Sequence, residues 1–151
     1  MHVYLAHHGE AVGPDVDTQR PLSARGREQV TALASAAAGR GVRPAVVWHS
    51  GKLRARQTAE AYWSACHPFA EFSAHRWMQP GDPPRLADLL EVEDRDLLLA
   101  GHMPHLDRLR RRLLGDPPDP APFPLNGLVA LERTGDGWAE RWTLGPPASG
   151  G

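Results

Sequence analysis

The sequence predicts an α/β domain with a mostly parallel central sheet and helices on both faces, and three observations carry that expectation. Short apolar runs that stop abruptly at polar residues alternate along the chain with segments whose apolar residues recur at helical spacing. Three of those runs end in histidine-bearing segments, His7-His8, His49-Ser50 and Gly101-His102, and in parallel sheets such ends converge on one edge. Two strand-like segments at the C-terminal end are separated by Thr134-Gly-Asp-Gly137, a hairpin signature.

Val3–Ala6 is an apolar run broken at His7-His8-Gly9, as expected of a buried strand. Ser23 is placed to cap a helix whose apolar positions are Val30, Leu33, Ala34 and Ala37, and Gly39 and Gly41 end it. Pro44–Trp48 reads as a second buried strand. From Ser50-Gly51 a helix opens with Ala55, Thr58, Ala59, Tyr62 and Cys66 along one face, Ser50 being a natural cap. Phe69–His75 is a weaker strand, and the loop Pro80–Pro84 leads to a short helix carrying Leu86, Leu89 and Leu90. Asp96–His102 is the clearest strand-to-loop transition, and Leu106, Leu109 and Leu113 form the next helical stripe. Five prolines between Gly115 and Pro124 demand an extended loop. Leu128–Arg133 and Trp138–Thr143 are the hairpin strands. We therefore expect one domain over residues 1–145, with 146–151 a frayed tail.

Composition narrows the function classes. Hydrophobic residues make up 41% and charged residues 23% of 151, ordinary for a globular protein, and the net charge of -1 gives no reason to expect nucleic acid or an anionic membrane as partner. Basic charge is arginine except for Lys52, and arginine is the better bidentate ligand for phosphate. Cys66 is the only cysteine, and the N-terminal run lacks a basic segment before it. Both point to a cytoplasmic protein rather than a disulfide-bonded or membrane-inserted one, and we expect a monomer.

Four segments, in order, carry a resemblance. Leu5-Ala6-His7-His8-Gly9-Glu10-Ala11 resembles an Arg-His-Gly-Glu signature, and Arg20-Pro21-Leu22-Ser23-Ala24-Arg25-Gly26 a block that opens a first helix. Ser50 to Glu60 is similar to a Ser-x-x-x-Arg-Ala-x-Gln-Thr block, and Gly101-His102-Met103-Pro104 to a second-histidine motif. Together these resemble the histidine phosphatase superfamily, specifically its small SixA-type phosphohistidine-phosphatase branch. The resemblance implies a three-layer phosphoglycerate-mutase-like domain. It makes His8 the histidine that takes the phosphoryl group, Arg54 a phosphate ligand and His102 the second histidine of the pocket, with no metal and no cofactor. His7 departs from the family, which usually carries arginine there.

The chemistry of the residues fits that implication. Phosphoryl transfer needs an in-line nucleophile and donors around three equatorial oxygens. A neutral imidazole, with a pKa of about 6.5, is a competent nucleophile near pH 7. Gly9 lets backbone approach the phosphate, Arg54 offers a two-pronged donor, and the N-terminus of its helix adds free N–H groups. His7 and Ser50 are further substrate-binding candidates. In the arginine's place His7 supplies positive charge only as imidazolium, which predicts a turnover maximum on the acidic side of neutrality. Near the expected position of a general acid only Asp82 is present, and it also reads as a turn residue after Pro80-Gly81. A phosphoramidate needs little acid help because departing imidazole has a pKa near neutrality. The expected substrate is thus phosphohistidine on a protein. A small phosphate ester is the alternative, as is a catalytically weak phosphate-binding module. A metal site built from His7, His8, His49 and His102 lacks a completing carboxylate or thiol. Arg108 and Arg110-Arg-Arg112 read as a solvated helix face, and His67, His75 and His105 as surface histidines.

Overall fold

The computed structural model describes residues 1–147, so residues 148–151 of the expected tail lie outside the described residues. Its strands are β1 (His2–His7), β2 (Val46–His49), β3 (Glu71–Ala74), β4 (Leu97–Gly101), β5 (Leu128–Thr134) and β6 (Gly137–Leu144). The helices are α1 (Ala24–Gly39), α2 (Leu53–Cys66), α3 (Leu86–Leu90) and α4 (His105–Leu113). The six strands form one sheet in the order β3-β2-β4-β1-β5-β6. β3, β2, β4 and β1 run parallel, and β5 and β6 add an antiparallel edge. Every segment read as strand or helix from the sequence forms its element.

Alternation along the strands feeds two cores, one on each face. Tyr4, Ala6, Val47, Leu98 and Ala100 point to α1 and α2, where Val30, Leu33, Ala37, Ala59 and Tyr62 cover them. Val3, Leu5, Val46, Leu97 and Leu99 point to α3 and α4 and meet Leu86, Leu90, Leu106 and Leu109. Helices on both faces give the expected three layers. Ser23 caps α1 as expected, its Oγ accepting from Gly26 N–H at 3.0 Å. No helix among the described residues is long and apolar enough to cross a membrane.

Two polar residues depart from expectation. Arg110 is not on a solvated face: it is 2% exposed and packs under the proline-rich loop. Its Nη2 donates to the Ala121 carbonyl, its Nε faces Glu140 at 3.4 Å, and Phe123 lies under its guanidinium. His105 is not a surface histidine. It is fully buried at the start of α4, and neither ring nitrogen has a hydrogen-bond partner among the described residues.

Candidate active site

The parallel register brings the polar strand ends level. His7 stands opposite Gly101 on β4, and His49 opposite Ala100. His8, one residue beyond β1, is fixed by its N–H to the Gly101 carbonyl at 3.0 Å. The rings of His7 and His8 lie 4.5 Å apart between centroids, and those of His8 and His102 5.1 Å. Three imidazoles from two neighbouring strands thus share one pocket at the carboxyl edge of the sheet.

Each ring's proton can be placed from its partner. His8 Nδ1 lies 2.8 Å from the Gly9 carbonyl, which only accepts, so Nδ1 carries the proton and Nε2 keeps its lone pair. Burial lowers the His8 pKa; the bond to Gly9 opposes this, and the Arg54 and Arg20 guanidiniums add to it. His8 is therefore neutral near pH 7, with Nε2 the nucleophilic nitrogen.

His7 differs from the imidazolium that replacement of an arginine suggests. Its Nδ1 accepts the Asn126 N–H at 2.8 Å, so its single proton sits on Nε2. Burial, with His8 beside it, pushes its pKa down to about 4. A second proton would have to enter where Asn126 already donates. His7 is a neutral donor, and the acid-side turnover maximum built on its charge loses its basis.

His102 is 2% exposed. Its pKa is pushed down to about 3, by burial first and then by His8, Arg54, Lys52 and His7. Its Nε2 lies 2.6 Å from Ser50 Oγ, which also accepts the Lys52 N–H at 3.3 Å. That favours the hydroxyl proton pointing to Nε2 and leaves Nδ1–H as the His102 donor. Ser50 does not cap α2: Lys52 holds the cap position, without a side-chain bond. The hydroxyl is free for His102 because the helix starts later than its sequence signal.

Arg54 is the second residue of α2, beside an N-terminus that no side chain caps. Its Nε is buried without a hydrogen-bond partner among the described residues, and burial, with Arg20 nearby, lowers its pKa. Thr58, one turn on, accepts the Gly9 N–H at 3.0 Å and donates to the Arg54 carbonyl at 2.8 Å. One hydroxyl thereby ties the nucleophile's loop to the arginine's helix.

Gly9 is required for another reason than expected. A Cβ there would meet Val30 Cγ2 at 2.5 Å and Leu22 at 3.2 Å, so the bare side faces α1 and the core rather than a phosphate. Glu10 anchors the same loop: its carboxylate accepts from Ser23 Oγ at 2.9 Å and its carbonyl from Ser23 N–H at 3.0 Å.

Sequence reasoning missed Thr58 and Asn126 as parts of this site. Asn126 has φ +54, donates its backbone N–H to His7 and its side-chain amide to the His8 carbonyl at 2.8 Å. An Asn-Gly pair entering a strand was its available signal. Beside the pocket, Ala74, His75, Arg76, Trp77, Gln79 and Asp82 line a cleft of about 590 Å³. Gln79 joins the two, donating to the Ser50 carbonyl at 2.7 Å. The Asp82 carboxylate accepts the Gln79 N–H at 2.8 Å, a turn contact. Among the described residues, no group of three or more His, Cys, Asp or Glu is arranged to hold a metal ion.

The fold has counterparts among known proteins. The family model described as histidine phosphatase superfamily (branch 1) matches residues 3–76. SixA from Agrobacterium tumefaciens superposes with a TM-score of 0.79 at 25% identity, covering 96% of this chain and 97% of that one. The protein histidine phosphatase SixA complexed with tungstate gives 0.81 at 22% identity, with 97% of each chain covered. A mycobacterial glucosyl-3-phosphoglycerate phosphatase bound to VO3 gives 0.71 at 17% identity, covering 93% of this chain and 98% of that one. No curated protein matches the sequence.

Proposed function

Because residues 3–76 match the family model of the histidine phosphatase superfamily, we propose that the protein removes phosphate from phosphohistidine on a protein, through a phosphoryl intermediate on His8. The observation that carries the reading is the His8–Gly9 bond, which leaves Nε2 with its lone pair beside an arginine whose Nε has no partner. In the first step Nε2 attacks phosphorus, the substrate's P–N bond breaks, and the departing imidazole takes a proton from water. In the second, water attacks phosphorus, its released proton neutralises the hydroxide left by the first step, the P–Nε2 bond breaks, and inorganic phosphate leaves with His8 neutral again. Arg54 and the Nε2–H of His7 hold equatorial oxygens, and His102 donates as charge develops on them.

The leaving group follows from the acid inventory. The Asp82 carboxylate is engaged by the Gln79 N–H, and an imidazole departs without the strong acid an alkoxide needs. The adjoining cleft gives room for protein around the phosphohistidine. The sole cysteine, buried and with its thiol pushed up to about 11, suits a reducing cytoplasm. The test is turnover of a phosphorylated phosphotransfer domain against a panel of sugar phosphates and nucleotides under identical conditions. Faster release from the phosphohistidine is expected. Equal or faster ester hydrolysis would replace this substrate class with small phosphate esters.

A further inference from the structure

The pocket lacks an arginine at position 7 and, with His7 neutral, has no positive charge there. A phosphoryl dianion held by one guanidinium, that of Arg54, would be poorly balanced. We propose that Arg20 supplies the second guanidinium of the phosphoryl pocket, in the place of the arginine that His7 replaces. The proposal rests on the reading that a phosphoryl group binds at His8.

The path of the chain places Arg20 there. After His8-Gly9 the chain leaves the sheet and returns, with Ala11 bridging Leu22 and the Val12 N–H on the Pro21 carbonyl at 3.0 Å. The returning strand is pinned to α2, because the Leu22 N–H donates to Gln57 Oε1 at 2.7 Å, three residues beyond Arg54. Arg20 stands two residues before that pin. It has φ +50, a left-handed conformation that costs a non-glycine residue roughly 1–2 kcal/mol, and such strain concentrates at functional positions.

The guanidinium is held along one edge only. Its Nε donates to the Val12 carbonyl at 3.1 Å, which fixes the plane and commits none of the terminal nitrogens. Among the described residues neither Arg20 nor Arg54 has a carboxylate within ion-pair distance. Arg20 is nevertheless close enough to His8 and Arg54 to lower the pKa of both. Two guanidiniums brought together without an acid are repulsive until an anion lies between them.

Tungstate binding, measured by calorimetry at pH 7.5, separates the possibilities without depending on turnover. The proteins are wild type, Arg20→Asn, Arg20→Lys, and Arg20→Asn combined with His7→Arg. Asparagine is chosen because it tolerates the left-handed conformation. Loss of a charged donor to an oxyanion predicts roughly 10- to 10²-fold weaker binding for Arg20→Asn. Lysine should recover part of it, and arginine at position 7 most of it. That rescue distinguishes a lost charge from a disturbed loop, and circular dichroism checks that each variant folds. If Arg20→Asn binds tungstate as wild type does, or if His7→Arg fails to restore binding, the assignment of Arg20 falls. If wild type itself binds no tungstate, the phosphoryl-pocket reading falls instead.

Discussion

Lowering the pH from 8 to 5 should destabilise the fold by about 4 kcal/mol through His7 and His102 alone. Both are buried, with pKa values pushed down to about 4 and about 3. In the unfolded chain each titrates near 6.5, so below that pH the unfolded state binds protons that the folded state refuses. A depressed folded pKa means the stability is fully present above about 6.5 and is lost as pH falls towards the folded value. At pH 5 the unfolded state gains about 2 kcal/mol per histidine, and the folded state gains almost nothing. Against a total of 5–15 kcal/mol this is a large fraction, a fall in Tm of about 8–16 °C at this chain length. His105, buried with its pKa also lowered, adds in the same direction, and carboxylates titrate mostly below the window. Urea denaturation at pH 8, 7, 6 and 5 reads the effect directly. Replacing His102 with Gln should remove about half of the pair's pH dependence. Stability that is flat or rising between pH 8 and 5 would refute the neutral-imidazole description of the pocket.

Two substitutions probe the supports of the site. Thr58→Val keeps the shape but leaves the buried Gly9 N–H without an acceptor, which should cost about 1–3 kcal/mol by denaturation. Turnover should fall by about 10²-fold, because the nucleophile's loop loses its tie to α2; unchanged kcat would show that the tie is dispensable. His105→Leu removes two buried ring nitrogens that lack partners and should raise stability by about 1–3 kcal/mol, with reduced dependence on pH. A destabilised variant would mean that His105 makes a polar contact its surroundings do not reveal.

Much of this architecture is legible in the sequence because the signals are local. Apolar runs such as Leu97–Leu99 are covered on both faces, and Ser23 caps its helix through its own side chain. What escapes is set by contacts between distant segments. The neutral state of His7 is imposed by the Asn126 N–H, 119 residues away in sequence. Ser50 has a helix-cap signature, yet its hydroxyl goes to His102 across the sheet edge. Arg110 hides in a run of arginines, although its spacing from Leu106 and Leu113 places it on the apolar stripe. His105, four residues before Leu109, shares that stripe. For these two, helical periodicity is the better guide than residue type.

The central claim is that His8 carries the phosphoryl group on Nε2, and it is tested most directly by trapping the intermediate. Wild-type protein mixed with a phosphorylated phosphotransfer domain or phosphoramidate is quenched in alkali within the first turnover. The phosphate is then located by mass spectrometry, and its ring position by phosphorus NMR. The Gly9 carbonyl occupies the Nδ1 proton, so the account predicts an acid-labile, base-stable phosphate on His8 Nε2 that is missing from His8→Ala. Phosphate on Nδ1, on another residue, or still present in His8→Ala would contradict it.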